Sequence, residues 1–157
     1  MEFIYSSPIG KLLINYDDTH ILGACFDKEQ REEYHHNAVI EQCITQLDEY
    51  FAGTLTAFDI PISPRGTDFQ ISAWEALCTI DYGKTMSYGQ IAAQIGRPKA
   101  SRAVGMANNK NPIYIIIPCH RVVGADGKLV GYGGGLWRKE WLLEHEGKGR
   151  EARHVLR

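Results

Sequence analysis

Three short runs near the start of the chain, Phe3 to Tyr5, Leu12 to Tyr16 and Ile21 to Phe26, are rich in β-favouring residues. Ser-Ser-Pro-Ile-Gly and Asp-Asp-Thr-His separate them, and such clusters turn the chain, so the pattern predicts a small antiparallel sheet. From Ala38 to Phe51 the apolar residues Val39, Ile40, Cys43, Ile44, Leu47, Tyr50 and Phe51 recur at helical spacing. That periodicity predicts an amphipathic helix packed on the sheet. Pro61 and Pro64 then punctuate 59–66, which reads as a linker.

Beyond the linker the apolar period turns helical. Thr67-Asp68-Phe69-Gln70 has the T-x-x-Q form that satisfies free amides at a helix start, and the helix it opens is expected over 68–78. Phe69, Ile71, Trp74, Leu77 and Cys78 mark its buried face. A second box, Ser87-Tyr88-Gly89-Gln90, opens a helix to about Ile95; Gly96-Arg97-Pro98-Lys99 breaks it, and Ala100 to Asn108 resumes. The outline is a helix-turn-helix, a shape that also occurs in folds that never meet nucleic acid. The fold class expected is α+β, a β-rich domain over 1–66 followed by a mostly helical domain over 67–157.

Charge sharpens this picture. The chain of 157 residues has a net charge of only −2, but residues 1–68 hold 4 basic and 12 acidic groups while 69–157 hold 13 and 7. A polyanion is attracted to the second part and repelled by the first. The resumed helix is thin and basic: Ala100, Ser101, Ala103, Gly105 and Ala107 are small, and Lys99, Arg102 and Lys110 are cationic. A slim helix suits the minor groove and sequence-independent contact. The tail Lys148 to Arg157 reads as a solvated end.

No charged-then-apolar leader opens the sequence, and the longest apolar run, Ile113 to Pro118, is too short to span a bilayer, so no membrane partner and a cytoplasmic, nucleoid-associated location are expected. The four cysteines lie far apart without a C-x-x-C pair, which argues against a disulfide scaffold or a zinc ribbon. Cys25, His35, His36 and Cys43 match no standard ligand spacing, and no metal is expected.

The chemistry concentrates in Ile115-Ile116-Ile117-Pro118-Cys119-His120-Arg121-Val122-Val123. Thiolate is the reactive form of cysteine, and a neighbouring histidine or arginine favours it, so Cys119 is the candidate nucleophile and His120 and Arg121 its sensible neighbours. A buried structural thiol remains the alternative at this point. On an extended strand adjacent residues face opposite ways, so only a bend or a bridging water couples His120 to Cys119. Glu146, at the end of the amphipathic segment Leu136 to Glu146, is placed to orient the imidazole. Gly131-Tyr132-Gly133-Gly134-Gly135 lacks the order of a phosphate-binding loop and leaves room for a flat ligand.

Pro-Cys-His-Arg-Val together with Lys-Glu-Trp-Leu-Leu-x-x-Glu resembles the O6-alkylguanine-DNA alkyltransferases. The resemblance covers residues 67–147 through Phe69-Gln70, Trp74, Tyr82-Gly83, Ser87-Tyr88, Arg97-Pro98, Ala103-Val104-Gly105, Asn111-Pro112, Pro118 to Val123 and Gly134-Gly135. Residues 1–66 resemble more loosely the family's ribonuclease H-like N-terminal domain. The resemblance implies repair of double-stranded DNA carrying O6-alkylguanine, and of O4-alkylthymine as well, by flipping the nucleotide and moving its alkyl group irreversibly to Cys119, without cofactor. It implies that Arg102 fills the vacated stack, Tyr88 rotates the nucleotide and shares a proton with the base, Asn111 organises the turn before the cysteine, and His120 with Glu146 withdraws the thiol proton through a water. The expected DNA contacts are Tyr88, Lys99, Ala100, Ser101, Arg102, Gly105 and Arg121; the expected substrate pocket is Tyr132, Gly133, Gly134 and the largely core Trp74. Gly133 departs from the Ser or Ala of many members, which implies a wider lesion range. The protein is expected to act as a monomer, with cooperative neighbours on DNA. A damage sensor lacking transfer and a cysteine hydrolase are the rival readings.

Overall fold

The computed structural model describes residues 1–26 and 35–155, with side chains as far as 147; the basic tail beginning at Lys148 lies outside those side chains. The chain divides into two compact units, one of 1–65 with Pro112–Tyr114, the other of Gly66–Asn111 with the chain from Ile115 onward.

In the first unit, β1 (Glu2–Ser7), β2 (Gly10–Tyr16) and β3 (Ile21–Phe26) form an antiparallel sheet in chain order. Tyr5 faces Leu12 and Leu13 faces Cys25, with a register shift at Asn15/Tyr16. Helix α1 (Ala38–Phe51) starts where the Asn37 side chain accepts from the Ile40 amide, the usual means of satisfying an otherwise orphaned donor. It buries Val39, Ile40, Cys43, Leu47 and Tyr50, while the sheet buries Tyr5, Leu12, Ile14, Tyr16, Ile21 and Ala24. The Tyr5 hydroxyl donates to Asp48 at 2.6 Å, tying sheet to helix.

Part of the segment read as a linker is held against β3 by an isolated bridge between Ile62 and Ile21. The Ile21 amide donates to Pro61 O and the Ser63 amide to Ile21 O, both at 2.9 Å, and prolines are tolerated on such an edge because they need donate nothing there. Pro112–Tyr114 likewise pairs with Ala24.

In the second unit, α2 (Asp68–Leu77), α3 (Tyr88–Gln94) and α4 (Ser101–Asn109) pack on one another. Both sequence-read capping boxes form, Thr67 with Gln70 and Ser87 with Gln90. Gly96, at φ +78°, closes α3 in a left-handed conformation that a side chain would disfavour. The Trp74 indole N–H donates to Ala107 O at 2.8 Å, fastening α2 to α4. A two-residue parallel pair, β4 (Met86–Ser87) with β5 (Val122–Val123), and α5 (Leu136–Val155) complete the unit. Among the described residues no helix is long and apolar enough to cross a membrane.

Around the cysteine the chain takes the bend that coupling His120 to Cys119 requires. Ile115, the one described non-glycine residue with a positive φ, sits at +74°, a rare conformation for a β-branched side chain. Pro118 lacks the N–H a ladder needs, and Cys119–Arg121 closes as a 3-10 turn with the Arg121 amide donating to Pro118 O at 3.0 Å. Only Val122 and Val123 are strand.

Candidate active site and nucleic-acid interface

The 3-10 turn buries three chemically active side chains in succession: Cys119 at 1 %, His120 at 0 % and Arg121 at 7 % exposure. A single tight turn rotates neighbours by about a third of a revolution, so Cys119 and His120 escape the opposite-face arrangement of a strand. Two asparagines brace the backbone here. Asn111 Nδ2 donates to Ile117 O at 2.8 Å, and Asn108 Nδ2 donates to Cys119 O at 3.3 Å.

Behind the turn stands Glu146 of α5, 1 % exposed. His120 Nε2 lies 2.7 Å from Glu146 Oε2. Arg121 Nε donates to Glu146 Oε1 at 2.8 Å and Nη2 to Oε2 at 3.0 Å. Burial opposes the Glu146 charge, but His120 and Arg121 together hold its carboxyl far below the usual carboxylate range. An ionised carboxylate can only accept, so His120 carries its proton on Nε2. Nδ1 keeps its lone pair, buried and without a partner. Burial, against the attraction of Glu146, pushes the imidazole below its ordinary value.

The Cys119 thiol is pushed up to about 11 by burial, opposed by hydrogen bonds from Asn111 and Tyr132 and by the charge of Lys139. At neutral pH the resting thiol is therefore protonated, and a base must take its proton before it attacks. Lys139, fully buried on α5, donates to Val130 O at 3.0 Å and Gly131 O at 3.2 Å. Its burial pulls its pKa down to about 8. The Tyr88 hydroxyl shares the same acceptor, donating to Val130 O at 3.0 Å.

Sequence reasoning passed over Lys139 and Asn108. Lys139 had a legible signal: with Leu142 and Glu146 it lies on one stripe of α5, a cation where the helical period calls for an apolar residue. Asn108 had none, because nothing local tells which face of α4 meets the cysteine turn.

Two expected assignments are corrected. Arg121 was expected among the DNA contacts, but its guanidinium is directed inward onto Glu146 and Ile80 O, the latter at 2.6 Å. Trp74 was grouped with the substrate pocket, but it is 2 % exposed with its N–H committed to Ala107; a large apolar side chain at a three-helix junction is more stable as core. In the glycine loop, Tyr132 and Gly134 are buried while Gly133 is exposed. Cys25, His35, His36 and Cys43 form no metal cluster: among the described residues no three His, Cys, Asp or Glu side chains are grouped to hold one.

Helix α4 presents Lys99, just before it, and Arg102 to solvent. Asn37, Thr67 and Ser87 cap the first three helices, whereas Ala100 gives α4 no side-chain cap. Its first amides are left to an outside acceptor, the requirement of a phosphate contact. Gly105 leaves the Tyr88 ring so close that an added Cβ would stand 3.7 Å from it.

A recessed thiol followed in the same turn by a buried histidine, in the same compact unit as a helix-turn-helix, defines a protein that carries cysteine chemistry to a nucleic acid. Residues 68–148 match the family described as 6-O-methylguanine DNA methyltransferase, DNA binding domain, and residues 2–64 its ribonuclease-like domain. The chain belongs to this 6-O-methylguanine DNA methyltransferase family. A methylated-DNA–protein-cysteine methyltransferase of Methanosarcina acetivorans is 49 % identical over 150 residues, covering 92 % of this chain and 96 % of that one. The crystal structure of Mycobacterium tuberculosis O6-methylguanine methyltransferase superposes with a TM-score of 0.85 at 47 % identity, covering 94 % of this chain and 92 % of the other. A structure of the M. tuberculosis protein in complex with DNA gives 0.85 at 50 % identity, over 93 % and 92 %. The α+β class and the ribonuclease-like N-terminal part expected from sequence stand with these relatives.

Proposed function

We propose that this protein repairs alkylated DNA by taking the alkyl group of an O6-alkylguanine onto Cys119, once per molecule. The observation that carries this is the buried Cys119 beside an imidazole whose Nδ1 is an unpartnered acceptor, with Glu146 behind it.

The steps follow from the side chains. His120 Nδ1 takes the thiol proton, through a bridging water, and Glu146 offsets the charge of the imidazolium. The sulfur then attacks the alkyl carbon in line, so that an S–C bond forms as the O6–C bond breaks, and guanine departs with its ring nitrogen protonated, aided by the Tyr88 hydroxyl. The thioether offers no carbonyl to water, so the thiol is not regenerated. Neither step calls for a cofactor.

Delivery of the base falls to the second domain, which we place at 67–157. Lys99, the open N-terminus of α4 around Ala100 and Ser101, and Arg102 hold the backbone from the minor groove; Arg102 enters the stack as the nucleotide turns outward, and Tyr88 leaves Val130 O to meet it. Gly105 keeps α4 thin at this approach, and Tyr132, Gly133 and Gly134 border the base, the missing Gly133 side chain leaving room for larger alkyl groups. We expect the protein to act on DNA within the cytoplasm as a monomer, with neighbours binding cooperatively along the duplex, and to accept O4-alkylthymine as a second lesion.

The test is to incubate protein with excess duplex carrying one O6-methylguanine and to weigh the peptide containing Cys119, with Cys119→Ser as control. One methyl on Cys119, saturating at one per chain, is the expected result. Binding without change to Cys119 or the lesion would mean a damage sensor, and repeated turnover of an ester would mean a hydrolase.

A further inference from the structure

Resting on the transfer reading above, we propose that Arg121 is a positioning residue for the reaction: its guanidinium clamps Glu146 toward His120 and supplies the counter-charge that leaves His120 free to act as a neutral base. The resemblance implies a DNA contact for Arg121, but its guanidinium is turned inward.

The Glu146 carboxylate accepts from Arg121, His120 and the Gly83 amide. Oε1 accepts from Arg121 Nε at 2.8 Å and from the Gly83 amide at 3.4 Å; Oε2 accepts from Arg121 Nη2 at 3.0 Å and His120 Nε2 at 2.7 Å. Arg121 is itself fixed, with Nη1 donating to Ile80 O at 2.6 Å and its guanidinium 5.8 Å from the Tyr82 ring centroid. A planar fork matched to both oxygens sets the plane of the carboxylate as well as its position. That plane decides where His120 Nε2 must point, and hence where Nδ1 is presented.

Charge completes the argument. Buried charges persist only when paired. If Glu146 had His120 as its sole partner, its uncompensated charge would favour the imidazolium and raise the share of His120 that rests with both nitrogens protonated. An imidazolium donates from both nitrogens and has no lone pair for a thiol proton. With Arg121 already balancing Glu146, the imidazole stays neutral and Nδ1 remains an acceptor. The charged and titratable groups around His120 are Glu146 and Lys139 from α5, Arg121 from its own turn and the adjacent Cys119; both cations act to lower its pKa and Glu146 acts to raise it.

The experiment compares wild type with Arg121→Met, which removes the charge at similar length, and Arg121→Lys, which keeps the charge and loses the fork. Single-turnover methyl transfer from duplex O6-methylguanine is followed against pH, with duplex affinity measured in parallel. Arg121→Met is expected to lose about a hundredfold in transfer rate at neutral pH, the lower end of what a general base contributes. Its acid limb should move to higher pH so that the deficit narrows in alkali, with affinity unchanged and Arg121→Lys recovering part of the rate. An unchanged limb, or weaker DNA binding with normal transfer, overturns the proposal. Nitrogen-15 resonances of His120 in the wild type give a second reading independent of the variants folding: a neutral Nε2–H ring at neutral pH is expected, and an imidazolium there refutes the idea. If the wild type transfers nothing, the transfer reading fails, while His120 resonances of the wild type and of Arg121→Met still decide whether Arg121 keeps the ring neutral.

Discussion

Glu146 concentrates the electrostatics of this site, because a carboxylate at 1 % exposure is tolerable only with its partners in place. Glu146→Gln removes the charge at constant volume and leaves Arg121 buried without a counter-ion. We expect it to cost about 3–5 kcal/mol, read from urea unfolding at neutral pH. The pH dependence has a definite sign. Since the folded state holds Glu146 below the ordinary carboxylate value, its stabilisation is present above that value and drains away as pH falls from it toward the lower folded value. Wild-type unfolding midpoints should therefore drop more steeply on acidification than those of Glu146→Gln. Cys119 faces the opposite demand: burial keeps it a thiol at rest, which protects it from stray electrophiles.

Among the elements, the caps and α4 divide the work between holding the fold and meeting DNA. Thr67 accepts from the Gln70 amide at 3.1 Å while Gln70 Oε1 accepts from the Thr67 amide at 2.9 Å, so Thr67→Ala should destabilise the second unit by about 1 kcal/mol, measured by thermal unfolding. No such contact exists at the start of α4. If Lys99 meets a phosphate there, Lys99→Ala will weaken binding alike on all duplexes and reduce the slope of log affinity against log salt by about 1. A slope left intact would remove Lys99 from the interface.

For the whole molecule, a single-use acceptor makes the product a different protein from the reactant. Cys119 is 1 % exposed in a packed interior, and adding even one methyl to a dense core costs about 1–3 kcal/mol. The fully methylated protein should therefore melt lower than the unmodified one, by roughly 2–4 °C per kcal/mol for a chain of this size, in calorimetry of the two forms side by side. An unchanged melting point would mean that the cavity is already shaped for the product.

Local rules in the sequence sufficed for every helix start that Thr67 or Ser87 caps, for the three-stranded sheet with its turns, and for α1 over Ala38–Phe51, because capping, turn chemistry and apolar period act within a few residues. Thiol chemistry in the segment around Cys119 nominated Cys119 and His120 with Glu146 to orient the imidazole, and the resemblance in Pro-Cys-His-Arg-Val and Lys-Glu-Trp-Leu-Leu-x-x-Glu gave them their roles. What the tertiary structure alone decided was direction: that Cys119–Arg121 turns instead of extending, that Arg121 reaches inward to a carboxylate from α5, and that Lys139 and Asn108 face the cysteine turn. These depend on where segments distant in the chain come to rest, and a buried charge finds its partner only after the fold has excluded water.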